Sequence, residues 1–489
     1  MIFSSFRFLV FFPCVLLLYF ASRNLRWRHW VLLVASWIFY GSWDPRFLAL
    51  LLGSTLLDYS VGLGLGRARS AAVRRALLCV SITGNLGALA FFKYCNFFVG
   101  SLRELLAFVG SGFDPVAATA AATGLPHDPA TGLLAIVLPV GISFYSFQTL
   151  SYAIDVYRRE LEPTRDFVQF ALFVAFFPQL VAGPIVRAVE FLPQLKRHVL
   201  VRWEDVSEGI QRFAIGFAKK VFIADNIAAY VDGVFARSGD YDGGTLWLGS
   251  IGFAVQVYCD FSGYTDMAIG AGRIMGFYLP ENFRFPFTAV NVADFWRRWH
   301  ITLYSFMRDY LYVPLGGSRV SPGRRLFNVL LTMTLVGLWH GAAWQFVLWG
   351  FFNGLLVTAS VGLTQLIAAR PRLSAGLGSP PGVVLRVALV NLVFFFGLGI
   401  FRSQGMDAVL LTMARMLGLD GGGATWFDPW ILAAYAVVLA GCIAAELDLF
   451  ERLRNATPAV LQPVAWVALI VFLTLFCPDD TAAFVYFQF

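Results

Sequence analysis

Apolar runs recur along the whole chain, separated by short basic clusters or by breaks rich in glycine and proline. Phe8–Ala21, Trp30–Trp43, Phe47–Leu65, Ala76–Val99 and Leu133–Tyr157 predict the early membrane spans. Leu246–Gly276, Val383–Phe401, Pro429–Ala445 and Val464–Phe476 predict later ones. Phe167–Ala182 runs into Gly183 and Pro184. With Pro178, these leave backbone groups that must be satisfied inside the protein, so the segment reads as a full span or a re-entrant element. An amphipathic segment begins near Trp203, and the stretch Ile210 to Phe235 is apolar but for Lys219 and Lys220. At ~20 residues per span the pattern predicts roughly ten or eleven transmembrane helices plus amphipathic and re-entrant ones. The expected architecture is an all-α polytopic membrane protein forming a single domain, residues 1–489.

Composition points the same way. With 58% hydrophobic and 14% charged residues in 489, the chain has too much apolar surface for a soluble protein of its length. A net charge of +7 would suit nucleic acid, but the basic residues cluster between apolar runs: Arg23, Arg26 and Arg28, then Arg67, Arg69, Arg74 and Arg75, then Arg158, Arg159 and Arg165. Placing these clusters in the cytoplasm makes the spans alternate and puts the N-terminus outside, so the charge reads as topology and nucleic acid is not expected as a partner. A single Arg7 and no small-residue cleavage site before the next span make the first run a membrane helix rather than a cleaved signal. Six scattered cysteines without a CxxC suggest neither a disulfide framework nor a metal site.

Chemistry concentrates between Asp294 and Gly350. Advancing ~100° per residue, Asp294–Leu311 splits into an apolar half holding Phe295, Trp296, Trp299, His300, Leu303 and Phe306 and a polar half holding Arg297, Arg298, Arg308 and Asp309. This predicts one amphipathic helix with His300 well inside its apolar side. His340 lies between the apolar runs Val329–Leu338 and Ala342–Trp349, where an ionisable group is costly and a functional role is favoured. Gly337, Gly341, Ala342 and Ala343 keep its surroundings thin enough for another backbone or a substrate. His29, His127 and His198 sit among loop signals and read as solvated. Asp260 and Asp266, in an apolar helix, need partners and read as orienting or ion-pairing groups. HExxH and G-x-S-x-G are absent, and the Gly62–Gly66 run follows no strand, so it reads as close helix packing or a helix end. An intramembrane imidazole suits general-base attack of a hydroxyl on a thioester, whose thiolate leaves without a strong acid.

RWHITL (Arg298–Leu303), RDYLYVPLGG (Arg308–Gly317) and GLWHGAAW (Gly337–Trp344) together resemble the membrane-bound O-acyltransferase (MBOAT) family. Pro139–Arg158, Phe176–Arg187, Asp260–Gly270, Leu279–Phe287 and Phe484–Phe489 extend the resemblance over most of the chain. It is nearest the bacterial branch of alginate O-acetylation and teichoic-acid D-alanyl transfer proteins. Tyr304, Ala343 and Gln345 depart from the pattern, which bears on substrate more than on reaction.

The resemblance implies that His340 is the essential intramembrane histidine, the general base, and that His300 is the second histidine, orienting donor or acceptor. It implies a passage through the bacterial inner membrane, with a cytoplasmic acyl thioester on one side and an extracytoplasmic hydroxyl on the other. The expected donor is acetyl-CoA, with no permanently bound cofactor and no metal. The expected acceptor is an exported polysaccharide such as alginate, reached with a periplasmic acetyltransferase partner. Arg297, Arg298 and Arg308 would meet the donor phosphates or, alternatively, lipid phosphates. Two other readings stay open: D-alanyl or other acyl transfer from a carrier protein to teichoic acid or lipid, and a polysaccharide transport component in which His340 and Asp260 relay protons.

Overall fold

The computed structural model of the protein describes residues 1–129, 131–197, 200–458, 461–475, 484 and 485. These residues are mostly helical with no strand among them, and two isolated bridges, His127 with Leu134 and Tyr241 with Ala424, are the only β pairings described. Helices suit a chain in lipid because each satisfies its own backbone polar groups. Arg46–Arg67, Ala71–Phe108, Trp344–Ala368, Pro380–Arg402 and Pro429–Glu446 are long and apolar enough to cross a membrane. The chain is a multi-pass membrane protein, and it divides into two compact units.

The first unit comprises Met1, Cys14–Val181 and Ile185–His198. Its helix Leu25–Gly41 starts ahead of the predicted Trp30 because the Asn24 side chain accepts from the backbone N–H groups of Arg26 and Trp27. The extra turn brings His29 into register with Leu32, Leu33, Ser36 and Tyr40 on the buried face. The expectation of a solvated His29 is therefore corrected, since the ring is 3% exposed. His127 is exposed as expected, and His198 lies outside the described residues.

The fourth span is longer than expected. Ala71–Phe108 passes through a π turn at Ala90–Tyr94 and continues past the predicted end at Val99. The predicted run Leu133–Tyr157 becomes helical only from Ile142. Gly141 turns the chain at φ 72°, and a Cβ there would lie 2.8 Å from the Leu180 carbonyl oxygen.

The segment over Phe167–Ala182 is broken at Phe176 into helices Phe167–Ala175 and Phe177–Leu180. Its interrupted backbone is satisfied internally: Phe177 N–H donates to Ser36 Oγ at 3.1 Å and the Gln179 amide donates to Phe173 O at 2.8 Å. The Gly62–Gly66 run is a packing surface. An added Cβ would lie 2.5 Å from Tyr152 at Gly62 and 2.6 Å from Pro163 at Gly66.

The second unit is built on Gly243–Ile274, a helix of 32 residues buried along most of its length. Trp203–Ala218 crosses it antiparallel at two glycine pairs, Gly209 with Gly270 and Gly216 with Gly263. A Cβ on Gly270 would lie 2.5 Å from Gly209 O, and one on Gly263 would lie 2.6 Å from Gly216 O.

Beyond this seam a π turn, Lys219–Ala224, leads into Asp225–Ala236. The turn supplies the partners that Asp260 and Asp266 needed. Lys220 pairs with Asp260 at 2.7 Å and Asp225 at 2.8 Å, and Lys219 reaches Asp266 at 2.7 Å. Pro322–His340 and Trp344–Ala368 form a second tight pair, where a Cβ on Gly350 would lie 3.0 Å from Gly337 Cα. The later predicted spans correspond to Pro380–Arg402, Pro429–Glu446 and Leu461–Leu475. The five described cysteines are free.

The glycine seam predicts opposite signs for one substitution at two helical sites. Gly216→Ala gains about 1 kcal/mol of helix propensity but drives its methyl into the Gly263 backbone, so the melting temperature in detergent falls. Gly87→Ala, with nothing within 4 Å, gains the propensity alone and raises it. Equal shifts at the two sites would show that the seam is loose.

Candidate active site

His300 sits where a helix has been taken apart. The single helix expected over Asp294–Leu311 is instead Val292–Arg298, a break at Trp299 and His300, Ile301–Met307, and a π turn over Arg308–Tyr312. The amphipathic pattern is real, but an extended segment running alongside competes for the backbone. Arg284 N–H donates to Arg298 O at 2.9 Å, and Ile301 N–H donates to Asn282 O at 2.9 Å. His300 accordingly takes left-handed dihedrals, φ 46° and ψ 53°, which a non-glycine residue adopts only when its surroundings enforce them.

The enforcing group is the Asn282 side chain. Its Oδ1 lies 3.1 Å from His300 Nδ1, 3.2 Å from Thr302 N and 2.9 Å from Thr302 Oγ1. A backbone N–H can only donate, so the atom facing Thr302 is the amide oxygen, and its orientation is fixed. His300 Nδ1 must therefore carry a proton and donate to the same oxygen. In the neutral ring this leaves the lone pair on Nε2. The imidazole is 2% exposed, with the Phe261 ring edge-on at 4.7 Å.

His340 is the last residue of its helix. At Gly341 the chain turns extended, with the Phe346 ring packed where a Cβ would otherwise sit, before the next helix begins at Trp344. The imidazole is 6% exposed and boxed by Trp349 at 5.3 Å and Phe401 at 5.5 Å, both nearly perpendicular. Trp339 joins the two histidines: its ring centroid is 5.7 Å from that of His300 and 4.9 Å from that of His340. Two residues forty apart in sequence thus meet across one indole, in a wall of aromatic side chains.

The three arginines have different surroundings. Arg298 is committed to Asp294 at 3.1 Å and to Glu446, and donates to Thr288 Oγ1 at 3.1 Å, tying its helix to Pro429–Glu446. Arg308, half exposed, is bound by Asp309 at 2.6 Å and 3.0 Å, which raises the guanidinium above its ordinary value and keeps it charged. Arg297 is exposed.

Sequence reasoning missed Asn282, Trp339, Trp349 and Phe401. The usable signal for Asn282 was an amide set between two prolines, Pro280 and Pro286, in an otherwise aromatic segment. The aromatic box carries no sequence signal, because tryptophan and phenylalanine are ordinary in such spans.

Residues 142–399 match the family described as "MBOAT, membrane-bound O-acyltransferase family". The chain belongs to this family. The match encloses both histidines and Asn282. Family membership identifies the chain as an O-acyltransferase and decides the open choice between catalysis and transport. Relatives match over stretches from about half of the chain to nearly its full length. "Probable alginate O-acetylase AlgI" of Pseudomonas putida is 43% identical over 94% of this chain and 89% of its own. "Peptidoglycan O-acetyltransferase" of Helicobacter pylori is 33% identical over 82% of this chain and 76% of its own. "Teichoic acid D-alanyltransferase" of Bacillus subtilis is 30% identical, over 48% of this chain and 60% of its own.

Asn282→Ala in this O-acyltransferase leaves the Thr302 N–H buried without its acceptor, a loss of about 1–3 kcal/mol, and frees the His300 ring. Turnover is expected to fall in a protein that still elutes as wild type. Asn282→Asp keeps an oxygen on the same stem and should retain more turnover. Equal losses in both would show that the oxygen does not hold His300.

Proposed function

We propose that the protein transfers acetyl groups from a cytoplasmic thioester, acetyl-CoA, for O-acetylation of an exported uronate polysaccharide of the alginate type. The observation that carries this reading is the pair of buried imidazoles meeting at Trp339. Relatives named for alginate O-acetylation, with identities of 40% and 43%, support the choice of polymer and acyl group.

In this reading His340 removes the proton from an acceptor hydroxyl as the oxygen attacks the thioester carbonyl. The tetrahedral intermediate collapses with cleavage of the C–S bond, and the thiolate leaves and recovers the proton from the imidazolium. His300, clamped through Nδ1, presents Nε2 to orient the reacting groups. Of the three arginines, the exposed Arg297 would meet the donor phosphates, Arg308 would do so while paired with Asp309, and Arg298 serves the helix packing. A periplasmic acetyltransferase would complete delivery to the polymer, and the protein would work in the bacterial inner membrane.

The test is purified protein in lipid vesicles with radiolabelled acetyl-CoA, a uronate oligosaccharide as acceptor and periplasmic extract. His340→Ala is expected to lower the rate by ~10²–10⁴-fold while keeping the wild-type melting temperature. Unchanged turnover would remove His340 from the chemistry. Turnover with muropeptides and none with uronates would move the acceptor towards that of the Helicobacter pylori relative.

Arg297→Ala is expected to raise KM for acetyl-CoA by ~3–10-fold, with kcat unchanged and a weaker dependence on salt. An unaltered KM would assign Arg297 to lipid phosphates.

A further inference from the structure

The segment that holds His300 is itself held by charge. Asn282 follows Glu281, whose two carboxylate oxygens accept from Nη1 and Nη2 of Arg212 on the Trp203–Ala218 helix. The Nε of Arg212 donates to Asp266 Oδ1 at 3.0 Å, and the other Asp266 oxygen takes Lys219 Nζ at 2.7 Å. One guanidinium thus joins two carboxylates on two segments with three N–H groups. A lysine cannot reproduce that fork.

The anchorage beneath Arg212 is rigid. Gly209 and Gly216, on either side of it, form the two tight contacts with Gly270 and Gly263, and Asp266 lies between those partners on the facing helix. Between the seam and the site runs the extended stretch from Leu279 to Phe285, which lacks helical hydrogen bonds, meets the His300 segment at Asn282 O and Arg284 N–H, and ends at Phe285 with φ 50°. Fixing Glu281 to the glycine seam therefore fixes the next residue, and with it the oxygen that orients the imidazole.

We infer that Arg212 is a positioning residue for acyl transfer: by clamping Glu281 to Asp266 it sets Asn282, and through Asn282 the orientation of the His300 ring. This rests on the reading of His300 as a participant in the reaction. A partly exposed ion pair without that role would contribute little to stability and nothing to turnover.

The experiment uses the full-length protein in vesicles with acetyl-CoA and acceptor, comparing Arg212→Lys, Glu281→Gln, His300→Gln and the double variant Arg212→Lys/His300→Gln. Arg212→Lys and Glu281→Gln are each expected to lower kcat by ~10-fold with KM unchanged. The double variant is expected to be no slower than His300→Gln alone, because Arg212 then has nothing left to position. Losses that multiply in the double variant, or wild-type turnover in Arg212→Lys, overturn the proposal. Wild-type turnover in His300→Gln overturns the reading of His300 beneath it, so the two failures are distinct. Where His300→Gln is inactive, the pH profile of kcat decides. A displaced limb in both clamp variants supports positioning, and a lower profile of unchanged shape overturns it.

Discussion

One amide oxygen accepts three hydrogen bonds at the centre of the site, and the local chain path follows from satisfying it. Asn282 Oδ1 takes the N–H and O–H of Thr302 and the Nδ1–H of His300. Burial makes each of these contacts matter more than it would in water, because a donor left without an acceptor there has no solvent to turn to. The backbone therefore leaves the helix at Trp299, passes His300 in a left-handed conformation and re-enters at Ile301. The strain in that residue is what aims its ring.

Around this oxygen the molecule supplies rigidity by close backbone approach and direction by aromatic walls. The Gly209–Gly270 and Gly216–Gly263 contacts bring two helices together without side chains between them, and Gly337 and Gly350 do the same beside His340. In lipid there is little hydrophobic drive to press helices together, so contact area gained by small residues carries the association. Trp339, Trp349 and Phe401 then hold the imidazoles by edge-to-face contact. The ion pairs of Asp260 and Asp266 belong to the same economy: carboxylates in an apolar helix persist because Lys219, Lys220 and Arg212 reach them.

The places where expectation and structure part share one cause. His29 looked solvated because its helix was expected to start at Trp30, and a single capping asparagine moved the start to Leu25. The Asp294–Leu311 stretch kept its amphipathic period but lost its continuity, since periodicity records which side of a segment faces apolar surroundings and not whether its hydrogen bonds run within it or to a neighbour. Arg297, Arg298 and Arg308 fell on the polar half of an ideal helix, and the break left Arg308 on a different element from the other two. In each case a contact with a residue distant in sequence, or one side chain bonding to backbone, outweighed a local preference of a few tenths of a kcal/mol per residue.

The sequence by itself determined the all-α membrane architecture, because runs of apolar residues in lipid leave the backbone no other way to satisfy itself. It also singled out His340 as an ionisable ring in a costly place, and the family resemblance paired it with His300. Only the tertiary structure decided that these two rings share Trp339, that Asn282 holds one of them by Nδ1, and that a charged clamp at Arg212 stands behind Asn282. Those relations join residues from 18 to 69 positions apart, and such pairings depend on how helices pack in three dimensions, which no local pattern along the chain encodes.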